Sequence, residues 1–161
     1  MKKRIYILIA LALFAGHSCQ EAIDIEKEKE AIIAIIEEER NAWFDKDIDR
    51  INAVWYQGPE SRKIDVCKYC GTNTFIGWTE IHKENLAMVN KPPSEIKNVA
   101  VQYSDYNIIV SDNTALAYHI GTWTGILDGE DWHFVEKRIL HFRKIDGEWK
   151  FDLLAHYSQH D

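Results

Sequence analysis

The last third of the chain, Asn113 to Ser158, carries three strand-like runs in series: Thr114 to Thr124, Trp132 to Arg143 and Glu148 to Tyr157. Asp128-Gly129 and Asp146-Gly147 separate them. Asp-Gly between alternating runs supplies the positive-φ turn that a tight antiparallel hairpin needs. The runs therefore predict a meander. One side of a meander must be buried, so the rest of the chain has to cover it.

The middle run carries the most information. Successive side chains of a strand point to opposite faces. One face holds Trp132, Phe134, Glu136, Arg138, Leu140 and Phe142; the other holds His133, Val135, Lys137, Ile139, His141 and Arg143. The first face is apolar except for Glu136 and Arg138. A charge on an apolar face must be paired or must line a polar pocket, because burying it alone is too costly. Glu136 and Arg138 are thus the leading candidates for a functional site.

The 161 residues suit one domain. Lys2, Lys3 and Arg4 precede an almost wholly apolar run, Ile5 to Ala15, too short for a comfortable membrane span and of the length of a signal core. It ends in Ala15-Gly-His-Ser-Cys19, which resembles a bacterial lipobox with His17 where a small or apolar residue is usual. The expected organisation is a signal peptide over 1–19 with Cys19 as a lipidation site, a tether over 20–25 and one domain over 26–161. The protein is expected to be exported, periplasmic or membrane-anchored through Cys19. The formal charge of −7 deepens once the basic head is removed. That balance argues against nucleic acid and against electrostatic docking to anionic lipid.

Cys67 and Cys70 form a Cys-x-x-Cys pair. Outside the cytoplasm the first expectation is a small surface disulfide. Half of a zinc site, a thioredoxin-type redox motif and two free thiols are the alternatives.

Upstream, Ile25 to Phe44 shows helical periodicity through Ile32, Ile36 and Trp43, and Glu37-Glu-Glu-Arg40 reads as a solvated face. Asp45-Lys-Asp47 breaks the run. A shorter helix with Ile48, Ile51 and Trp55 follows, ended by Gly58-Pro59. Pro59 to Phe75 reads as a loop or ragged strands. Gly77 opens a third helix to about Val89, and Lys91-Pro-Pro-Ser94 stops it. Ile96–Tyr103 and Tyr106–Val110 are strands leading to the meander. Segregated helices and an antiparallel sheet make an α+β fold.

The order of Trp43, Asp47 and Trp55, the Gly77-Trp-Thr-Glu-Ile81 helix start, Gly121-Thr-Trp-Thr124, and Asp146-Gly-Glu-Trp149 followed by His156-Tyr-Ser158 resembles the nuclear-transport-factor-2-like superfamily, specifically its SnoaL-like branch. The resemblance covers roughly Glu26 to Ser158. It implies a cone-shaped fold, with N-terminal helices packed on a curved antiparallel sheet around a cavity. It is also similar to the association domain of calcium/calmodulin-dependent kinases, in which an Arg at the position of Arg138 lines the pocket. Members include isomerases, polyketide cyclases, dehydratases and non-catalytic binding or assembly domains, so fold does not fix function. Members place the final His six residues after the Trp; here His156 is one further along. Strict alternation from Trp149 turns His156 outward, and a bulge near Leu153–Leu154 would return it to the pocket.

The expected ligand-binding set is Arg138, Glu136, Tyr118, Thr122, Trp43, Trp55 and His156. His156 or Glu136 is the candidate catalytic base, although an adjacent Arg138 would hold Glu136 ionised. Asp47 sits where a helix cap is wanted, and Asp152 falls on the outer face unless the register shifts early. His119, His133 and His141 are read as outward, suited to the surface or a dimer contact. No metal site and no cofactor are called for. Three functions stay open: binding of a small, partly apolar ligand; an isomerase, cyclase or dehydratase working by proton transfer; and a dimerisation or assembly module. The expected partners are a small molecule and a second copy of the chain.

Overall fold

The computed structural model describes residues 23–67, 71–92 and 95–159. The basic head, Cys19 and Cys70 lie outside them. Helix α1 spans Ile25–Asp45, α2 Ile48–Ala53 and α3 Trp78–Val89. Strands β1 (Arg62–Cys67), β2 (Gly71–Ile76), β3 (Lys97–Ser111), β4 (Thr114–Leu127), β5 (Glu130–Ile145) and β6 (Glu148–Gln159) form one sheet, ordered β2-β1-β6-β5-β4-β3. The architecture is the α+β cone: helices covering one side of a six-stranded sheet.

The meander follows from its turns. Asp128-Gly129 and Asp146-Gly147 all have positive φ, which a two-residue hairpin turn with the right twist requires. Leu127 pairs with Glu130, and Ile145 with Glu148. Upstream, the two expected strands over 96–110 are a single strand, β3. Asp105 at φ 55 lies in a register shift between Ser104 and Asn107, so the break seen in the pattern is a bulge inside one strand.

The 59–75 segment is a hairpin, β1–β2, and β1 runs parallel to β6. The sheet is therefore mixed rather than wholly antiparallel. A parallel neighbour needs a long crossover, here everything from β2 to β5, and no local pattern marks it. Trp55 leaves the second helix, which stops at Ala53, and bridges to Phe151.

The core joins α1 (Ile32, Ile36), the end of α2 (Val54, Trp55), α3 (Ile81) and the inward sheet residues Ala115, Ala117, Leu140, Phe142, Trp149, Phe151 and Leu154. Phe151 packs edge-on against both Trp55 (5.2 Å) and Phe142 (5.3 Å), a favoured aromatic geometry. Between α1 and α2, Lys46 takes the left-handed conformation and Asp47 accepts from the backbone N–H groups of Asp49 and Arg50, both at 3.1 Å. Asp47 is thus the cap of α2. Asp47→Ala should lower stability by about 1 kcal/mol, with Asp47→Ser close to neutral, in urea unfolding; equal loss in both would remove the capping role.

Candidate functional site

The site grows from β5. Glu136, Arg138, Leu140 and Phe142 alternate with exposed or half-buried neighbours and are themselves buried. The Asp128-Gly129 turn sets what faces them. With Leu127 opposite Glu130, odd positions of β4 oppose even positions of β5, so His119 faces Arg138 and Gly121 faces Glu136. A Cβ on Gly121 would lie 2.8 Å from Glu136 Oε1. Glycine there gives the buried carboxylate its room.

Strand β6 supplies the opposite wall. Phe142 pairs with Phe151, but His141 pairs with Leu153, leaving Asp152 as an extra residue. This bulge falls one residue before the expected Leu153–Leu154 site and has the same effect: His156 is turned inward, opposite Arg138. The parallel neighbour β1 places Asp65 beside His156. His156 Nε2 and Asp65 Oδ1 are 3.5 Å apart.

These strands and the helices enclose a cavity of about 330 Å³, at the small end for ligand pockets. Its apolar wall includes Trp43, Trp55, Met88, Trp123 and Leu154; its polar lining includes Glu39, Lys63, Asp65, Asn85, Tyr103, Glu136, Arg138 and His156. Arg138 donates from Nη2 to Glu39 Oε2 (2.9 Å) and from Nη1 to the Tyr103 hydroxyl (2.7 Å). Both side chains of the ion pair are 4% exposed. Glu39 Oε1 accepts from Trp43 Nε1 at 2.8 Å. Lys63 Nζ lies 3.4 Å from Asn85 Oδ1 and 3.8 Å from Asp65 Oδ2.

Burial works against the Arg138 charge, but Glu39, Tyr103 and Glu136 more than offset it, so its pKa is raised and the guanidinium stays charged. Burial raises the pKa of Tyr103. Burial lowers that of His156, with Arg138 and Lys63 adding to the effect and Asp65 and Glu136 opposing it. The imidazole is therefore neutral near pH 7 and able to accept a proton.

No protein-family model and no curated protein matches the chain. Solved structures do. A nuclear-transport-factor-2-like protein of unknown function from Pseudomonas putida KT2440 superposes with a TM-score of 0.68 at 15% identity, over 87% of this chain and 92% of that one. A protein from Streptomyces avermitilis assigned as a dehydratase of that family gives 0.65 at 12%, over 83% and 97%. The chain has the nuclear-transport-factor-2-like fold. An assigned calcium/calmodulin-dependent kinase II association domain from Thiobacillus denitrificans shares it, with a TM-score of 0.61 at 13% identity, over 78% and 93%.

Within that fold several expected site residues move. Arg138, Glu136, Trp43, Trp55 and His156 line the cavity. Tyr118 and Thr122 do not: they stand on the outward side of β4, where Thr122 is exposed, because the hairpin register sends the odd positions inward. For the same reason His119, expected outside, is fully buried, between the rings of Tyr103 (4.5 Å) and Tyr106 (5.3 Å). His133 is exposed, and His141 is half-exposed beside Asp152. Arg138 is hydrogen-bonded to Glu39 rather than to Glu136. Glu39 lies in the segment expected to be a solvated face. The signal was present, since Ile32, Ile36, Glu39 and Trp43 recur at helical spacing on one stripe. Lys63 and Asp65 carried no such signal. Cys67 is disulfide-bonded.

Burial, with a smaller contribution from Arg138, pushes His119 down to about 3. Its folded pKa lies below the unfolded one, so the folded state binds fewer protons between the two. The stability tied to neutral His119 is whole above pH 6.5 and is lost as pH falls towards 3. His119→Phe should remove up to about 1.4 kcal/mol per pH unit from that slope. Urea midpoints compared between the two proteins across the window measure it, and parallel slopes would refute it.

Proposed function

We propose that this is a SnoaL-like binding domain whose cone pocket takes a small, partly apolar, uncharged molecule bearing both hydrogen-bond donors and acceptors. One observation carries the reading. Among the described residues, Asp65 Oδ1, Asn85 Nδ2, Trp123 Nε1 and Arg138 Nε are buried without a hydrogen-bond partner, and all four residues line the cavity. Unpaired buried polar atoms are costly, and a ligand that draws these side chains round to meet it recovers that cost. Their mixture of donors and an acceptor suits a neutral polar edge. The tryptophans suit a flat apolar body. An anion is disfavoured, because Arg138 is already matched by Glu39 and the remaining lining sets Asp65, Glu84 and Glu136 against Arg40 and Lys63.

Export and a lipid anchor at Cys19 belong to this proposal. A disulfide-bonded Cys67 favours an oxidising compartment. A homodimer through the outward sheet face belongs to it too, supported by exposed Ile109, Leu116, Val135 and Ile139. Benzamide and benzoate have nearly one shape and differ in charge. Tryptophan fluorescence should show benzamide binding at least tenfold more tightly, about 1.4 kcal/mol. Benzoate binding as well as benzamide, or neither binding, would remove the reading.

A second reading is favoured by the neutral His156 beside Asp65. It is proton transfer of the isomerase, cyclase or dehydratase type, with His156 as base and Asp65 orienting it. The fold's occurrence in a protein assigned as a dehydratase supports it. The domain should then speed hydrogen–deuterium exchange at the methyl group of acetophenone in D2O, followed by NMR. His156→Gln should abolish that exchange while leaving benzamide affinity within about threefold. Exchange no faster than buffer would leave binding alone.

A further inference from the structure

Strand β6 carries two competing faces. Counted without interruption from Phe151, the inward row would be Phe151, Leu153, Ala155 and Tyr157, all apolar, with Asp152, Leu154, His156 and Ser158 outward. Hydrophobic patterning selects register, and it favours this phase. The strand adopts the other one. Beyond the extra residue Asp152, Leu154 opposes Leu140 and His156 opposes Arg138. Tyr157 is left 38% exposed. A local interaction must hold the bulge against the pattern.

The residue inserted there is itself clamped. Asp152 is buried, and its carboxylate reaches the outward residues on both sides of Phe142. Oδ1 is 2.5 Å from His141 Nδ1, and Oδ2 accepts from Arg143 Nε at 2.7 Å and pairs with Nη2 at 2.5 Å. Arg143 is fixed in turn by Glu60 at 3.0 Å and lies 4.3 Å over the Tyr56 ring. Parallel pairing with β1 begins immediately past the bulge, Arg62 against Leu153, and brings Asp65 beside His156.

We propose that Asp152 is a positioning residue: clamped by His141 and Arg143 on the outer face, it pins the bulge that turns His156 into the pocket. The proposal rests on the reading of the cavity as the functional site. Without the clamp, β6 slips by one residue to the apolar phase, and the pocket exchanges His156 for Ala155 and Tyr157.

The test follows the imidazole of His156 by NMR titration in the protein without ligand. In the unaltered protein, where the imidazole is buried, it should titrate below the ordinary value of about 6.5. In Asp152→Ala it should return to that value, while Asp152→Asn, which keeps an oxygen for Arg143, should stay nearer the parent. Deletion of Asp152 is the decisive variant. It removes the extra residue, so plain alternation now turns Leu154 and His156 inward, and the lowered titration should persist. A residue that only stabilised the sheet would give the reverse order. The double variant His141→Gln, Arg143→Gln opens the clamp from the other side and should repeat the rise even where Asp152→Ala fails to fold. A folded Asp152→Ala or double variant with His156 titrating as in the parent would overturn the proposal. So would a deletion that matches Asp152→Ala. Failure of benzamide to bind would count against the ligand reading and leave these titrations unchanged.

Discussion

The cavity exists because Arg138 and Glu39 need each other. One sits in the middle of β5, the other on α1, and both are nearly inaccessible. Bringing the two charges out of water costs several kcal/mol each, and their attraction offsets this only when the remaining protons and lone pairs are also satisfied. Tyr103 and Trp43 provide part of that second layer, with Arg138 Nε left over among the described residues. Removing either charge would strand the other, at a cost of about 3–5 kcal/mol. The pair therefore locates α1 over the sheet more narrowly than Ile32 and Ile36 could, since apolar contacts tolerate sliding and a two-atom ion pair does not. It also keeps the hollow from filling, because charged groups cannot be exchanged for close-packed aliphatic side chains without losing their partners.

Once Arg138 is engaged in this way, the chemistry of the pocket changes sign. Viewed along β5 alone, the guanidinium looks like an anchor for an anion, with Glu136 as its neighbour. Across the cavity it is a structural cation whose Nε has no partner among the described residues. Glu136, which adds to the field that keeps Arg138 charged, is accommodated because Gly121 has no side chain. His156 and Asp65 add an acceptor pair on the opposite strands. A site with these groups presents acceptors and neutral donors to its ligand rather than a net positive charge, and that distinguishes an amide or hydroxyl from a carboxylate.

What could be read from the chain beforehand follows the range of each interaction. The meander, the turns and the inward phase of β5 are local and came out of alternation and two Asp-Gly pairs. The inward phase of β4 was equally available. A two-residue turn places His119 across from Arg138 and so turns Tyr118 and Thr122 away from the pocket. Glu39 was hidden by its neighbours: three acids and an Arg in a row look solvated, although Glu39 shares a stripe with Ile32 and Ile36. Lys63 and Asp65 were not legible at all. They enter the site through a parallel pairing that spans most of the chain, and no periodicity in a six-residue strand reports which distant strand it will join.

The bulge in β6 shows why fold and activity part company in this architecture. At 12–15% identity the backbone course is retained by a protein assigned as a dehydratase and by one of unknown function, so the fold survives the exchange of most residues. The function then rests on a few positions and on the phase in which each strand presents them. A one-residue shift beyond Phe151 changes every inward side chain of the last strand while leaving the rest of the sheet as it was. In this chain the apolar alternation argues for one phase, and an outward carboxylate held by His141 and Arg143 enforces the other. Local disagreement of that kind between pattern and structure is expected where a strand serves a site rather than a core. It places part of the control over the pocket on the opposite surface of the sheet.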